Sequence, residues 1–167
     1  MTKPAPQDAD RHNLKMQKKK VARDKIMATK TDRKGLIIVN TGKGKGKSSA
    51  AFGMIFRCIA HGMQCAVVQF IKGGMSTGER DLILKNFSDI CSFNTMGEGF
   101  TWETQDKARD TEMAAAAWEK AKSLIRDPKN TMVLLDEINI ALRYDYINIS
   151  DFCHFLLNEK PEMTHVV

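Results

Sequence analysis

The sequence predicts an α/β fold, a mostly parallel sheet flanked by helices, and three observations carry that expectation. From Gly35 onward, apolar runs of strand length alternate with helical stretches, the pattern of strands joined by crossover helices. The first run, Leu36–Val39, opens directly into a glycine-rich turn, Gly-Lys-Gly-Lys-Gly-Lys-Ser at Gly42–Ser48. A later run, Met132–Leu135, ends in two carboxylates, Asp136 and Glu137. The 167 residues are enough for one domain with a sizeable core, preceded by an arm.

The arm, residues 1–34, holds 11 Lys/Arg against 4 Asp/Glu, a charge of +7. The remaining chain holds 15 against 16, or −1, so the excess of the whole (+6) lies in the arm. A folded domain of that balance presents no basic field of the kind nucleic acid selects. Within the arm Leu14, Val21 and Ala28 recur every seventh residue among lysines, a weak amphipathic helix signal. A solvated, frayed tail fits as well as a lid, a partner contact or an anion-binding arm.

From residue 35 to Val167 the chain reads as a P-loop nucleotide-binding domain. Strands are expected at Leu36–Asn40, Cys65–Ile71, Ser92–Met96 and Thr131–Asp136, with Met163–Val167 opening another. Helices are expected at Lys47–His61, Gly78–Asn86, Gln105–Asp127 and Asp151–Glu159. The third is the best marked: Ala114, Ala117, Trp118, Ala121 and Ile125 share a face, Thr104 can cap the start, and Pro128 follows the end. A doubly wound sheet does not normally stop inside a strand, so the chain reads as a C-terminally shortened form. No run approaches the about 18 apolar residues of a membrane span, and no cleavable export signal is recognisable. Four scattered cysteines, without a Cys-x-x-Cys pair, suit reduced, buried thiols of a cytoplasmic protein.

The glycine-rich turn is the chemical centre of the sequence. Glycines at 42, 44 and 46 let successive N–H groups point into one concavity, a cradle for phosphate. Lys47 can reach phosphate oxygens, Ser48 can join the shell of a Mg²⁺, and the helix starting there adds its positive end. The spacing is one residue short of the usual P-loop, since only Lys43, Gly44 and Lys45 separate Gly42 from Gly46, and Thr41 stands where the first glycine is expected. In P-loop proteins the acid-tipped strand lies beside the first, so Asp136 and Glu137 are expected to face the phosphates and steady the metal. Glu137 could touch the metal, orient a substrate or activate a water.

Other stretches carry two readings each. Phe100 and Trp102, in Gly97–Thr104, either form the wall of a ligand site or anchor their loop to the core. Lys72 and Arg80 either add positive charge around a triphosphate or are solvated. His61 reads as a helix-end residue and His154 as packing. No metal-binding cluster of ligand spacing and no Gly-x-Ser-x-Gly nucleophile motif occurs.

Together these motifs resemble the P-loop type of ATP:corrinoid adenosyltransferase, the cob(I)alamin or cob(I)yrinic acid a,c-diamide adenosyltransferases. The resemblance covers most of Gly35–Val167: Thr41–Ser48, Ala-Phe-Gly at 51–53, His61-Gly62, Val68–Gly73, Gly78–Arg80, Gly99–Thr104 and Leu135–Glu137. The shortened loop is what that family carries. The likeness implies a RecA-like sheet and transfer of the 5′-deoxyadenosyl group of ATP to Co(I) of a corrinoid, with release of triphosphate. It implies that Thr41, Gly42, Lys43, Gly44, Lys45, Gly46, Lys47, Ser48 and Ser49 hold ATP, with Lys47 and Glu137 catalytic. Ser48, Asp136 and Glu137 would hold Mg²⁺ or Mn²⁺, and Ser48 keeps the hydroxyl where threonine is common. Phe100 and Trp102 would face the corrinoid (cobalamin, cobinamide or cobyrinic acid diamide) and help displace its lower ligand. An electron-donating flavoprotein reductase and a second copy of the chain are the implied partners, with the arm resembling the family's N-terminal helix.

An ordinary P-loop ATPase or kinase, with Glu137 activating water or a hydroxyl, is the rival enzyme reading; intact triphosphate as product separates the two. A module that binds nucleotide or corrinoid without turnover is the rival outside catalysis. A nucleic-acid ATPase is the weakest alternative, given the charge of the folded part.

Overall fold

The computed structural model describes residues 6–70, 76–95 and 107–167. Contacts divide the chain into two compact units, the second beginning at Lys34. The first unit is carried by one helix, α1 (Pro6–Ala28), with Asp8 in its first turn and Lys25 in its last, each matching the sign of the helix end it occupies. Leu14 and Val21 are exposed on it.

In the second unit, helices α2 (Lys47–Ala60), α3 (Gly78–Asn86), α4 (Lys107–Arg126), α5 (Ile138–Arg143) and α6 (Ile149–His154) accompany strands β1 (Cys65–Gln69), β2 (Cys91–Thr95), β3 (Met132–Asp136) and β4 (His165–Val166). The strands form one parallel sheet in the order β2-β1-β3-β4. All five residues of β1 and of β3 are buried, as expected of central strands covered on both faces.

Side-chain alternation along the strands divides the core. Cys65, Val67, Cys91, Met132 and Leu134 point to one face and pack with Ala51, Phe52, Ile55 and Cys58 of α2 and Ile83 of α3. Ala66, Val68, Val133 and Leu135 point to the other and meet Ala114, Ala117, Trp118, Ala121 and Ile125 of α4. Those five are the stripe expected from sequence. Trp118 packs edge-on against Phe155 at 5.3 Å between ring centroids. Each fully buried aliphatic chain in this double layer contributes about 1.5–3 kcal/mol.

Two expectations about the first apolar run are corrected. Leu36–Asn40 is not a full strand: it pairs through one parallel bridge, Ile37 with Val166. Ile38 N–H donates to the Val166 carbonyl at 2.8 Å and Val166 N–H to the Leu36 carbonyl at 2.9 Å. The partner strand is two residues long, which limits the ladder. Nor does this run lie beside the acid-tipped strand. β4 stands between them, and β3 spends its free edge on it: Leu135 N–H donates to Val167 at 2.9 Å and Val167 N–H to Val133 at 3.0 Å. Where the run starts, Gly35 approaches the returning chain so closely that a Cβ would stand 2.2 Å from the Thr164 carbonyl oxygen.

The helices fall close to their expected limits. α2 ends one residue early with His61 as its C-cap, and Gly62 follows at φ 67°. α3 has the expected bounds and is capped by Thr77, whose hydroxyl accepts from Arg80 N–H at 3.3 Å. The last expected helix starts earlier, at Ile149, because Asn148 caps it through Ser150 and Asp151 N–H, and it passes into a π-helical turn over Phe155–Glu159. The short α5 was not anticipated. Cys58, Cys65 and Cys91 are buried thiols, but Cys153 is exposed on α6. His154 is also exposed, beside Glu159 and Asn158, so it is not a packing residue. Among the described residues no helix is long and apolar enough to cross a membrane.

Candidate functional site

The glycine loop departs from ordinary backbone at two points. Gly42 has φ 130° and Gly46 φ 99°, values that side-chain-bearing residues rarely adopt. Gly46 stands immediately before α2 and supplies no side-chain cap. The first N–H groups of that helix have no intrahelical acceptors, the condition under which a helix start suits an anion. Lys47 turns back over the loop, its ammonium donating to the carbonyls of Gly42 at 2.9 Å and Gly44 at 2.5 Å. Thr41, Lys43, Lys45 and Ser49 are exposed around this hub, while Lys47 and Ser48 are half-buried.

Ser48 joins the loop to the sheet. Its hydroxyl donates to Asp136 Oδ1 at 3.2 Å, across 88 residues of chain. Asp136, only 5% exposed, also accepts from the Gln69 amide, Nε2 to Oδ2 at 2.8 Å. Gln69 and Asp136 are register partners on adjacent strands and end the same face of the sheet, the face that α2 covers. Hydroxyl, carboxylate and glycine loop thus converge at the carboxyl edge, where open α/β sheets bind ligands.

Glu137 makes the turn out of β3. It has φ 64° and ψ 19°, a left-handed conformation uncommon outside glycine, and it is the N-cap position of α5. Such strain persists where surrounding structure enforces it and clusters at functional sites. Glu137 lines a cavity of about 230 Å³ together with Asn40, Lys47, Ser48, Asp136 and Asn139. The rest of its wall is aliphatic or aromatic, including Val39, Leu135, Ile138 and Phe152.

Among the described residues no group of three or more His, Cys, Asp or Glu forms a metal cluster. The pair Ser48–Asp136 is nevertheless suited to Mg²⁺, which keeps several waters and is usually held by one or two carboxylates plus substrate phosphates. Phe100, Trp102 and Lys72 lie outside the described residues. Arg80 is half-buried on α3, and its Nε is enclosed without a hydrogen-bond partner among the described residues, which sets aside the freely solvated reading. Gln69 was missed as a site residue. Its signal was a polar residue closing the buried run Cys65–Val68, as Asp136 closes Met132–Leu135.

Residues 33–167 match the family model described as ATP:corrinoid adenosyltransferase BtuR/CobO/CobP. Residues 1–27 match that of the cob(I)alamin adenosyltransferase N terminal region. A corrinoid adenosyltransferase of Sinorhizobium sp is 74% identical over 98% of this chain and 77% of its own length. Those of Pseudomonas aeruginosa and Escherichia coli are 46% and 39% identical, over 98% and 95% of this chain and 79% of theirs.

Proposed function

The chain belongs to the ATP:corrinoid adenosyltransferase family and is a corrinoid adenosyltransferase with ATP and corrinoid as substrates, and from that premise we propose how its residues carry the reaction. The Co(I) centre of the corrinoid attacks C5′ of ATP with its electron pair. A Co–C bond forms, the C5′–O5′ bond breaks, and the released pair leaves on triphosphate while cobalt becomes formally Co(III). Co(I) is itself a strong nucleophile, so no protein base is needed to create one. The protein's task is to hold C5′ in line and to stabilise the departing charge.

The contact between Ser48 and Asp136 is the observation that carries this assignment, because it ties the glycine loop to the acidic strand end. Residues Thr41–Ser49 bind the triphosphate. Lys47 exchanges its two loop carbonyls for phosphate oxygens, and its charge is matched to the leaving group. Ser48, Asp136 and Glu137 hold the Mg²⁺ (or Mn²⁺), which supplies further charge neutralisation on the triphosphate. Glu137, fixed in its left-handed turn, orients the nucleotide from the cavity side.

Phe100 and Trp102 face the corrinoid, a role supported by the Gly99–Thr104 motif. Displacing the lower axial donor from Co(II) lowers the orbital that accepts the electron, so a flavoprotein reductase can reach Co(I). The enzyme works in the cytoplasm as a homodimer; the match of residues 1–27 to the family's N-terminal model supports an arm that belongs to the machinery.

The direct test is an anaerobic assay with Mg·ATP and chemically reduced cob(I)alamin, following the light-sensitive Co–C product and free triphosphate. Equal yields of both are expected. Phosphate and ADP instead of triphosphate would replace this mechanism with that of an ordinary ATPase.

A further inference from the structure

Gln69 is a side chain that the reaction scheme leaves unused, and its position is unusual for an amide. It ends a strand whose other residues are Cys65, Ala66, Val67 and Val68, and it is 1% exposed. Its neighbours on the same face, Val67 and Leu134, are core. A carboxylate can only accept, so the group that Gln69 turns to Asp136 must be Nε2, and Oε1 necessarily points away. That Oε1 is buried without a hydrogen-bond partner among the described residues. An apolar residue would fill this position without an unpaired acceptor, so packing alone does not account for the amide.

The hydrogen-bond geometry does. Gln69 Nε2 holds Oδ2 of Asp136 at 2.8 Å, and register pairing of the two residues fixes the approach. With Oδ2 engaged, the carboxylate plane is set and Oδ1 is the oxygen presented to Ser48, at 3.2 Å. We propose that Gln69 is a positioning residue for the metal side of the site: it orients the Asp136 carboxylate so that one oxygen faces Ser48 and the bound nucleotide. The inference rests on the assignment of Ser48 and Asp136 to Mg²⁺. Groups that orient a metal-binding carboxylate in this way typically change metal affinity by about 10–100-fold when removed.

The test measures ATP binding by calorimetry on the complete chain, once with Mg²⁺ and once with EDTA, for wild type, Gln69→Met and Gln69→Asn. Methionine matches glutamine in length and fills its space without donating. Asparagine keeps a donor but is one methylene too short to reach Oδ2. In wild type Mg²⁺ tightens ATP binding; in Gln69→Met that gain falls about 10–100-fold, while affinity in EDTA is unchanged. Gln69→Asn, which disturbs packing differently, loses the gain as well. A folded variant of either kind with the full wild-type gain overturns the role, as does an equal loss with and without Mg²⁺, which would mark Gln69 as structural only. If wild type itself shows no Mg²⁺-dependent gain, the metal assignment fails and this inference falls with it.

Discussion

Replacing Asp136 with asparagine removes one charge from the site and almost nothing from its shape. In the native arrangement Oδ2 accepts from Gln69 and Oδ1 from Ser48. Asparagine retains one acceptor. With its oxygen toward Ser48, its Nδ2 would confront the Gln69 amide nitrogen, donor against donor. Half a turn of the Gln69 amide resolves this by bringing Oε1, which has no partner among the described residues, onto the new NH₂ group. The amide nitrogen then occupies the place Oε1 had, so one buried unpaired group exchanges for another. The net loss is the difference between hydrogen bonds to a charged acceptor, about 1.5–3 kcal/mol, and neutral ones, about 0.5–1.5 kcal/mol. Each of the two bonds loses about 1–1.5 kcal/mol, so the destabilisation is about 2–3 kcal/mol, or about 4–12 °C in Tm for a chain of this size.

The functional effect should be larger. Without the carboxylate, charge neutralisation on the departing triphosphate weakens, and single-group losses of that kind cost about 100- to 1,000-fold in rate. Melting curves recorded beside Mg²⁺ titrations of adenosylation separate the two effects. A well-folded variant with native Mg²⁺ dependence would remove Asp136 from the metal side of the mechanism. A Tm loss far beyond about 12 °C would refute the amide-rotation argument instead.

Lys47→Ala should lower kcat/KM for ATP by at least about 100-fold with little change in melting, because its bonds to Gly42 and Gly44 lie at the loop surface; near-native turnover would undo the loop assignment. Gly35→Ala should destabilise the fold by about 1–3 kcal/mol or more, since its Cβ would stand 2.2 Å from the Thr164 carbonyl; an unchanged melt would contradict that close approach. Trp102→Ala should slow adenosylation from Co(II) corrinoid with reductase more than from pre-reduced Co(I), and equal slowing from both would argue against displacement of the lower ligand.

Much of this molecule was legible because its signals are local. The stripe Ala114–Ile125 lies on one helix, and its 3.6-residue period gives the buried face directly. The bounds of α3 agree with expectation, and the structure closes them locally, with Thr77 as N-cap and Phe87 as C-cap, both adjacent to the helix. The loop glycines announce a phosphate cradle, and two of them do adopt positive φ. What was hidden depends on contacts distant in sequence. Gln69 reads as a polar strand end until Asp136, 67 residues later, is placed beside it. His154 and Cys153 follow Phe152 and precede Phe155, so they share an apolar neighbourhood in sequence; the helix turns them outward and the aromatics inward.

The lateral order of the strands is the clearest case. Sequence spacing shows that an acidic strand end and a glycine loop exist, yet it cannot say which strand separates them, because hydrogen-bonding edges carry no label along the chain. The expectation placed the two strands side by side; the sheet inserts β4 between them. The site survives that difference because the loop does not meet Asp136 through the first strand. It meets it through α2, which crosses past β4 and packs on Leu134 of β3 and Val67 of β1. A crossover between parallel strands carries its helix over neighbouring strands before the chain re-enters the sheet. The start of α2, and Ser48 with it, is thereby set at the carboxyl edge of β3. Ser48 and Asp136 come together because the same sheet face that buries Ile55 and Phe52 ends in a carboxylate, so core packing and site geometry are fixed by one contact surface.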